Sequence, residues 1–163
     1  MTVLHNIEPV YDENSRILIL GSFPSVKSRE AEFFYGNPQN RFWRVTAGVF
    51  GCEVPHTTDE KKKFLLEHHI ALWDVIGKCE ISGSSDSSIK NAVPNDISRI
   101  LNTAKIQQIF LNGKTAEKFY EKYILPEIGI EAVCLPSTSP ANASKKIDTL
   151  TADWQIIAQE SSD

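Results

Sequence analysis

The sequence is poor in several things, and each shortage removes a class of protein. Cysteine occurs only three times, as Cys52, Cys79 and Cys134, far apart and odd in number. That fits neither a disulfide framework nor a four-cysteine iron–sulfur site. The expectation is a cytoplasmic chain whose thiols are reduced and mostly buried. No apolar run approaches the ~20 residues that a membrane span requires. The opening MTVLHNIEPVYDENSR lacks the basic-then-apolar layout of a secretory signal. Positive charge is in short supply too: 17 Lys and Arg against 21 Asp and Glu leave a net charge of −4. This argues against a chain that coats nucleic acid by neutralising phosphates, but not against an enzyme that touches few of them. The four histidines, His5, His56, His68 and His69, converge on no motif. Neither a metal nor a cofactor is expected, and no repeat or low-complexity tract is present.

What remains has globular proportions. With 41% hydrophobic and 23% charged residues over 163 positions, one domain, 1–163, can bury roughly 70% of its unfolded surface. Four short apolar runs read as strands: Ile17 to Leu20 before Gly21, Ile70 to Ile76 before Gly77, Ile106 to Leu111, and Ala132 to Leu135. Between them lie helical patterns at 41–50 (Phe42, Val45 and Val49 in register, Gly51 as terminator), 59–68, 97–102, 115–123 and 147–159. Residues 1–16 read as an irregular entry, 79–92 as a surface loop, and Lys61-Lys62-Lys63 as a solvated face. Strands separated by helices call for an α/β fold with a largely parallel sheet.

The chain is organised around Ile17 to Trp43. After the first strand, Gly21, Ser22, Pro24 and Ser25 make a tight turn, and Phe33, Phe34 and Tyr35 lead on to Asn40. In open α/β sheets ligands sit at the carboxyl ends of strands. A turn of small residues lets backbone N–H groups approach a ligand, and a tyrosine offers it a flat face. The loops 21–43, 77–92 and 136–146 each follow an apolar run, so neighbouring strands would bring them to one crevice. Lys27, Arg29, Arg41, Arg44, Lys145 and Lys146 flank two of these loops and could be phosphate contacts or plain surface charge.

The block Gly21-Ser22-Phe23-Pro24-Ser25, followed by Phe34 to Trp43 (FYGNPQNRFW), resembles the first motif of the uracil-DNA glycosylase superfamily. The loop PSTSPANAS (136–144) resembles its second motif, which presses into the DNA minor groove. Cys79-Glu80 with Gly83 to Ile89 (GSSDSSI) resembles the hypoxanthine branch rather than the mismatch-specific one. The resemblance implies a three-layer α/β/α fold with a central four-stranded sheet. It also implies a monomeric, monofunctional DNA glycosylase that flips a deaminated base, hypoxanthine favoured, out of DNA and hydrolyses its N-glycosidic bond.

Carried over residue by residue, Asn40 would be catalytic, holding a water by its carbonyl beneath C1′. The Gly21, Ser22, Phe23, Pro24 turn would receive the base edge through backbone N–H groups, and Tyr35 would stack on the base. Ser137 and Ser139 would hold phosphates, with Thr138, Ser139, Pro140 and Ala141 as a wedge. Phe23 departs from the pattern, since relatives often place Asp or Asn there to act on water. That weighs against uracil excision and moves the catalytic role to Asn40. Asn37 is a second departure, from histidine. Plainer roles stand beside these: Asn40 as a helix cap, Tyr35 as a core aromatic, Ser137 and Ser139 as turn formers, and Asp86 as a loop cap. Three other activities remain: a mismatch-type uracil or thymine glycosylase, a non-catalytic reader of nucleotides or damaged DNA, and a hydrolase using Ser22 or Ser25. The last lacks a Gly-x-Ser-x-Gly elbow.

Overall fold

The structure, a computed structural model, describes residues 2–161. Its centre is the run Ile17–Gly21 (β2), the whole of which is buried. A strand covered on both faces has no reason to alternate apolar with polar residues, and Ile17, Leu18, Ile19 and Leu20 are accordingly aliphatic without interruption. Burying each contributes about 1.5–3 kcal/mol. β2 pairs in parallel with Ile70–Asp74 (β3) on one side and Gln108–Asn112 (β6) on the other, and β6 pairs with Ala132–Leu135 (β7). The sheet order is therefore β3-β2-β6-β7, all parallel. These are the four strands expected from the apolar runs.

Helices cover this sheet. Thr58–Glu67 (α3) packs on β3, Lys114–Phe119 (α5) on β6 and β7, and Ile156–Ser161 (α8) on β2. α3 starts with a full capping box, in which Thr57 accepts from the Glu60 N–H while the Glu60 carboxylate accepts from the Thr57 N–H. Phe42–Phe50 (α2) ends at Gly51, which has φ 65°; glycine adopts this left-handed conformation without strain. The long C-terminal helix expected over 147–159 is two, Ile147–Asp153 (α7) and α8, broken at Trp154 and Gln155. Leu150, Trp154 and Ile157 nevertheless form one fully buried stripe. Val26–Ala31 (α1), Ser98–Leu101 (α4) and Leu125–Ile128 (α6) are short. No helix among the described residues is long and apolar enough to cross a membrane.

Three expectations about the strands need correction. Ile70 to Ile76 is not one strand. The chain turns at Val75, where Asn95 Nδ2 donates to the carbonyls of both Asp74 and Ile76 (2.9 and 3.2 Å), and Ile76–Glu80 (β4) leaves the main sheet. Residues 79–92 are not all loop: β4 pairs antiparallel with Lys90–Pro94 (β5), with register shifts. Nor is the N-terminal segment wholly irregular, because Thr2–Leu4 (β1) pairs antiparallel with β4. The outer strands of this small sheet, β1 and β5, are largely exposed, so no apolar pattern announces them. The thiols differ too: Cys79 is buried, Cys134 half-buried and Cys52 exposed.

Candidate active site

A cavity of about 280 Å³ opens at the carboxyl edge of the main sheet. Three strands of that sheet end in its wall, and the chain leaving the fourth completes it. β2 delivers Gly21, β3 delivers Asp74, β6 delivers Asn112, and the chain after β7 delivers Ser137 to Ala141. Tyr35 and Asn40 reach it from the segment before α2, and Ser84 and Asp86 from the β4–β5 connection. All the expected site residues are thus brought together: Gly21, Ser22, Phe23, Pro24, Tyr35, Asn40, Ser137, Thr138, Ser139, Pro140 and Ala141 line one recess.

Asn40 sits two residues before α2, and its side-chain oxygen Oδ1 accepts from the Phe42 N–H at 2.9 Å. Thr138 Oγ1 donates to the same oxygen at 2.9 Å. Because a backbone N–H can only donate, the Phe42 contact fixes which end of the amide is oxygen. Both acceptor positions of Oδ1 are then taken, so the carbonyl expected to hold a water is occupied. The amide nitrogen Nδ2 is the end with no partner among the described residues. The N-cap residue of α2 is Arg41, which makes no side-chain cap bond, so Asn40 is not the cap expected of it. It reaches the first helical N–H from one position further out through Oδ1, while Nδ2 stays open to the cavity it lines.

Behind Asn40 runs a polar chain. Thr138 Oγ1 accepts from Asn112 Nδ2 (3.0 Å), Thr138 N–H donates to Asn112 Oδ1 (3.0 Å), and Asn112 Nδ2 also donates to the Tyr35 hydroxyl (3.1 Å). Thr138 is fully buried. It therefore joins the two motifs from inside and is not part of an exposed wedge. Tyr35 holds φ 52°, a left-handed conformation costly for a residue with a side chain. Phe42 stacks on one face of its ring at 4.2 Å. Burial, with the Asp74 charge added, pushes its hydroxyl pKa far above the ordinary tyrosine value, so the phenol keeps its proton.

Asp74 is buried, and its Oδ2 lies 2.8 Å from His5 Nε2. The Ile7 N–H donates to His5 Nδ1 at 3.2 Å. That makes Nδ1 the acceptor and places the ring proton on Nε2, where it is donated to Asp74. β1 carries His5 into place, and the His5 N–H bonds Gly77 O at 2.8 Å. The other carboxylate oxygen, Asp74 Oδ1, lies over Gly21. A Cβ added at Gly21 would stand 2.5 Å from Asp74 Oδ1 and 2.9 Å from the Tyr35 hydroxyl. Only glycine fits this position.

The Ser22 hydroxyl donates to the Asp86 carboxylate, 3.2 Å from each oxygen. Desolvation raises the Asp86 pKa above the usual aspartate range, opposed by the Ser22 hydrogen bond and reinforced by the charge of Asp74. The ring of Phe23 turns away into the core, edge-on to His5 at 6.0 Å and beneath Arg29 at 5.7 Å. Phe23 nevertheless lines the cavity. The N–H groups of Ser22 and Phe23 donate to no acceptor among the described residues.

The 136–146 loop is fastened from three sides. Trp154 Nε1 donates to Pro136 O (2.9 Å), and the Arg41 N–H to Thr138 O (3.1 Å). The Arg41 guanidinium donates to the carbonyls of Ser139 (2.9 Å), Asn142 (3.0 Å) and Lys145. Ser137 and Ser139 accept from the N–H groups of Ser139 and Ala141, as turn formers do (3.1 and 3.2 Å). Of the flanking cations, Arg41 is consumed by carbonyls, Arg29 bonds Gly83 O at 2.8 Å, and Lys145 pairs with Asp153 at 3.1 Å. Their first role is to hold loops.

Three residues of the cavity region escaped sequence reasoning: Asp74, Asn112 and His5. The first two carried a usable signal, a polar side chain where an apolar run meets the carboxyl end of a parallel strand. His5 carried none, since its place depends on a strand pairing that no pattern marks.

Residues 8–158 match the family described as the Uracil DNA glycosylase superfamily. A Methanosarcina acetivorans protein named hypoxanthine DNA glycosylase is 40% identical over 152 residues, covering 91% of this chain and 93% of the relative. One of the same name from Methanosarcina barkeri is 34% identical over 136 residues, covering 82% and 85%. The solution NMR structure of a proposed uracil DNA glycosylase from M. acetivorans superposes with a TM-score of 0.79 at 34% identity, over 96% of this chain and 99% of that one. A parallel four-stranded sheet whose strand ends build one recess, matched by these relatives along nearly its whole length, places the chain in the uracil DNA glycosylase superfamily.

Proposed function

We propose that this protein is a monofunctional DNA glycosylase that takes a deaminated base, hypoxanthine by preference, into the cavity and hydrolyses its bond to deoxyribose. The observation that carries this is the convergence of Asn40, the Gly21–Pro24 turn and the 137–141 loop on one recess of about 280 Å³. The similarity to two proteins named hypoxanthine DNA glycosylase supports the choice of base. The unit that acts is the single domain 1–163, working as a cytoplasmic monomer on DNA, because one chain supplies every group the reaction uses.

The chemistry needs no strong nucleophile. As the bond between C1′ and the base nitrogen breaks, its electron pair leaves with the base and the sugar becomes oxocarbenium-like. Water then forms the new C1′–O bond and releases a proton. The base takes up a proton in turn, so the products are an abasic sugar and a neutral free base. Asn40 Nδ2 donates to the water oxygen and positions it, leaving a lone pair for attack. The unused N–H groups of Ser22 and Phe23 meet the base carbonyl, where negative charge grows, and fixed donors of this kind each contribute on the order of 3–4 kcal/mol. Asp86 accepts the proton that the water releases. Ser139, Pro140 and Ala141 lie against the backbone beside the extruded nucleotide, which must be unstacked at a cost of about a few kcal/mol.

The test is a panel of labelled oligonucleotides carrying hypoxanthine, xanthine, uracil or no lesion, incubated with the protein and treated with alkali to break abasic sites. Strand scission at hypoxanthine, weak or absent at uracil, is the expected result. Binding without scission in every lane would instead make the protein a reader of damaged DNA.

A further inference from the structure

Tyr35 lines the cavity and carries a hydroxyl that the chemistry above leaves unused. The direction of each hydrogen bond around it is fixed. The Thr138 N–H donates to Asn112 at 3.0 Å, so the accepting atom is Oδ1 and the other end of that amide is Nδ2. Nδ2 donates to the Tyr35 hydroxyl at 3.1 Å. The phenol oxygen is therefore an acceptor there, and its own hydrogen points elsewhere. No acceptor among the described residues receives it. Phe42 covers one face of the ring at 4.2 Å, and Trp43 stands edge-on to it at 6.5 Å. The hydroxyl itself lies beside Gly21, 2.9 Å from where a Cβ there would stand, at the turn that leads to the N–H groups of Ser22 and Phe23. Burial and the charge of Asp74 keep the phenol protonated, so it offers the cavity a neutral donor. Buried polar groups are almost always paired, and a hydroxyl hydrogen left open in a pocket is a place for an acceptor on the ligand.

A purine supplies that acceptor. In hypoxanthine two ring nitrogens, N3 and N7, carry a lone pair that a donor can reach. With the base carbonyl at the Ser22 and Phe23 N–H groups, N7 lies next to it and N3 on the far side of the ring system. Uracil has only a carbon, C5, beside its corresponding carbonyl, and no lone pair in that place. We propose that the Tyr35 hydroxyl donates a hydrogen bond to N7 of the bound purine and so makes the cavity favour hypoxanthine over uracil. Tyr35 then meets the base through its hydroxyl rather than through the flat of its ring. Negative charge grows on the five-membered ring as the bond from C1′ breaks, so the same donor is worth more in the transition state than in the ground state. The phenol keeps its proton throughout and only donates the hydrogen bond. The inference rests on the glycosylase reading for its ligand class, but it can fail or stand separately.

Binding to single-stranded oligonucleotides separates the two. A 2′-fluoro sugar at the test nucleotide destabilises the oxocarbenium and prevents cleavage, and a single strand keeps base pairing out of the comparison. 7-Deazahypoxanthine has C–H in place of N7, and 3-deazahypoxanthine has it in place of N3. Wild-type protein should bind the 7-deaza base about 3- to 10-fold more weakly than hypoxanthine, the range of one neutral hydrogen bond. The 3-deaza base should bind as hypoxanthine does. Tyr35→Phe keeps the ring and its contact with Phe42. It should lose the same factor on hypoxanthine and nothing on the 7-deaza base or on uracil, so the preference over uracil narrows. A Tyr35→Phe protein with a wild-type melting curve whose affinity falls equally for hypoxanthine and its 7-deaza form, or for neither, overturns the proposal. So does equal wild-type affinity for those two bases, a result that decides the matter even if the variant does not fold. Alkali-revealed scission of an ordinary deoxyinosine strand is scored separately. Sensitivity to N7 without scission removes the enzymatic reading and keeps the hydrogen bond, and scission without that sensitivity does the reverse.

Discussion

Thr138 Oγ1 donates to Asn40 Oδ1 across 2.9 Å, joining residues 98 positions apart. This bond helps link the segment that begins α2 to the loop that follows β7, and it takes the second acceptor position of the amide oxygen that the Phe42 N–H identifies. With the Phe42 N–H on the same oxygen, the amide is held by its acceptor, and its donor has no partner among the described residues.

Asn40→Asp separates the two ends. A carboxylate retains an acceptor for the Phe42 N–H and the Thr138 hydroxyl but has no N–H to offer. The melting temperature should stay near wild type, whereas Asn40→Ala should lose about 1 kcal/mol with the hydrogen bonds to its oxygen. Single-turnover excision of hypoxanthine should fall about 100-fold or more in both, the usual scale for one lost donor. An Asn40→Asp enzyme of full activity would show that donation is not what Asn40 contributes.

Thr138→Val keeps the side chain's shape and removes its hydroxyl. Asn40 Oδ1 and Asn112 Nδ2 each lose a partner in a buried place, so urea unfolding should show a loss of about 1–3 kcal/mol. Excision should slow as the amide loosens. Thr138→Ser, which keeps the hydroxyl, should recover most of both.

Gly21→Ala tests how tightly the turn, Asp74 and Tyr35 are packed. The new methyl would stand 2.5 Å from Asp74 Oδ1, on a short side chain tied to His5. Such overpacking costs about 1–3 kcal/mol. Calorimetry should register that loss, together with a sharp fall in excision.

Asp86 should make the protein pH-dependent in two ways, the first of them small because its side chain reaches solvent. Desolvation, opposed by the Ser22 hydrogen bond and reinforced by Asp74, raises its folded-state pKa above that of the unfolded chain. The folded protein then binds more protons between the two values, so this group's contribution to stability is greatest at low pH and declines as pH rises through that window. Asp86→Asn should therefore melt higher than wild type at pH 7–8, and the advantage should disappear on acidification. If Asp86 takes the water's proton, the acid limb of the wild-type rate profile should lie above the ordinary aspartate range near ~4 and be absent in the variant.

Arg41→Met removes a guanidinium that holds three carbonyls of the 136–146 loop while keeping its aliphatic stem. Hydrogen exchange across that loop should quicken by about tenfold or more, since local opening becomes cheaper. Affinity for a lesion-bearing strand should fall with it. Exchange rates equal to wild type would mean that Trp154 and the backbone suffice.

The parallel sheet was readable because strands buried on both faces must be apolar without interruption, as Ile17 to Leu20 are. The small β1-β4-β5 sheet was not, because half-exposed strands such as Lys90–Pro94 carry no pattern that separates them from loop. Asn40 and the 136–144 loop could be picked out by their resemblance to the family's two motifs. The identity of the working atom on Asn40 could not, since that depends on which donors reach Oδ1. Thr138 shows the same limit: its sequence context suggested an exposed wedge, and its full burial reflects a pairing with Asn112 that only the folded chain makes.

Local sequence determined where strands form and where polar residues interrupt them, because burial on both faces and the turn preference of Gly, Ser and Pro act within a few residues. The tertiary structure alone decided that Asp74 stands over Gly21 with His5 behind it. Those three residues come from β3, β2 and the segment after β1, and only the strand pairings place them side by side. A site read from spacing names the residues; the hydrogen bonds between distant segments assign each atom to donate or to accept.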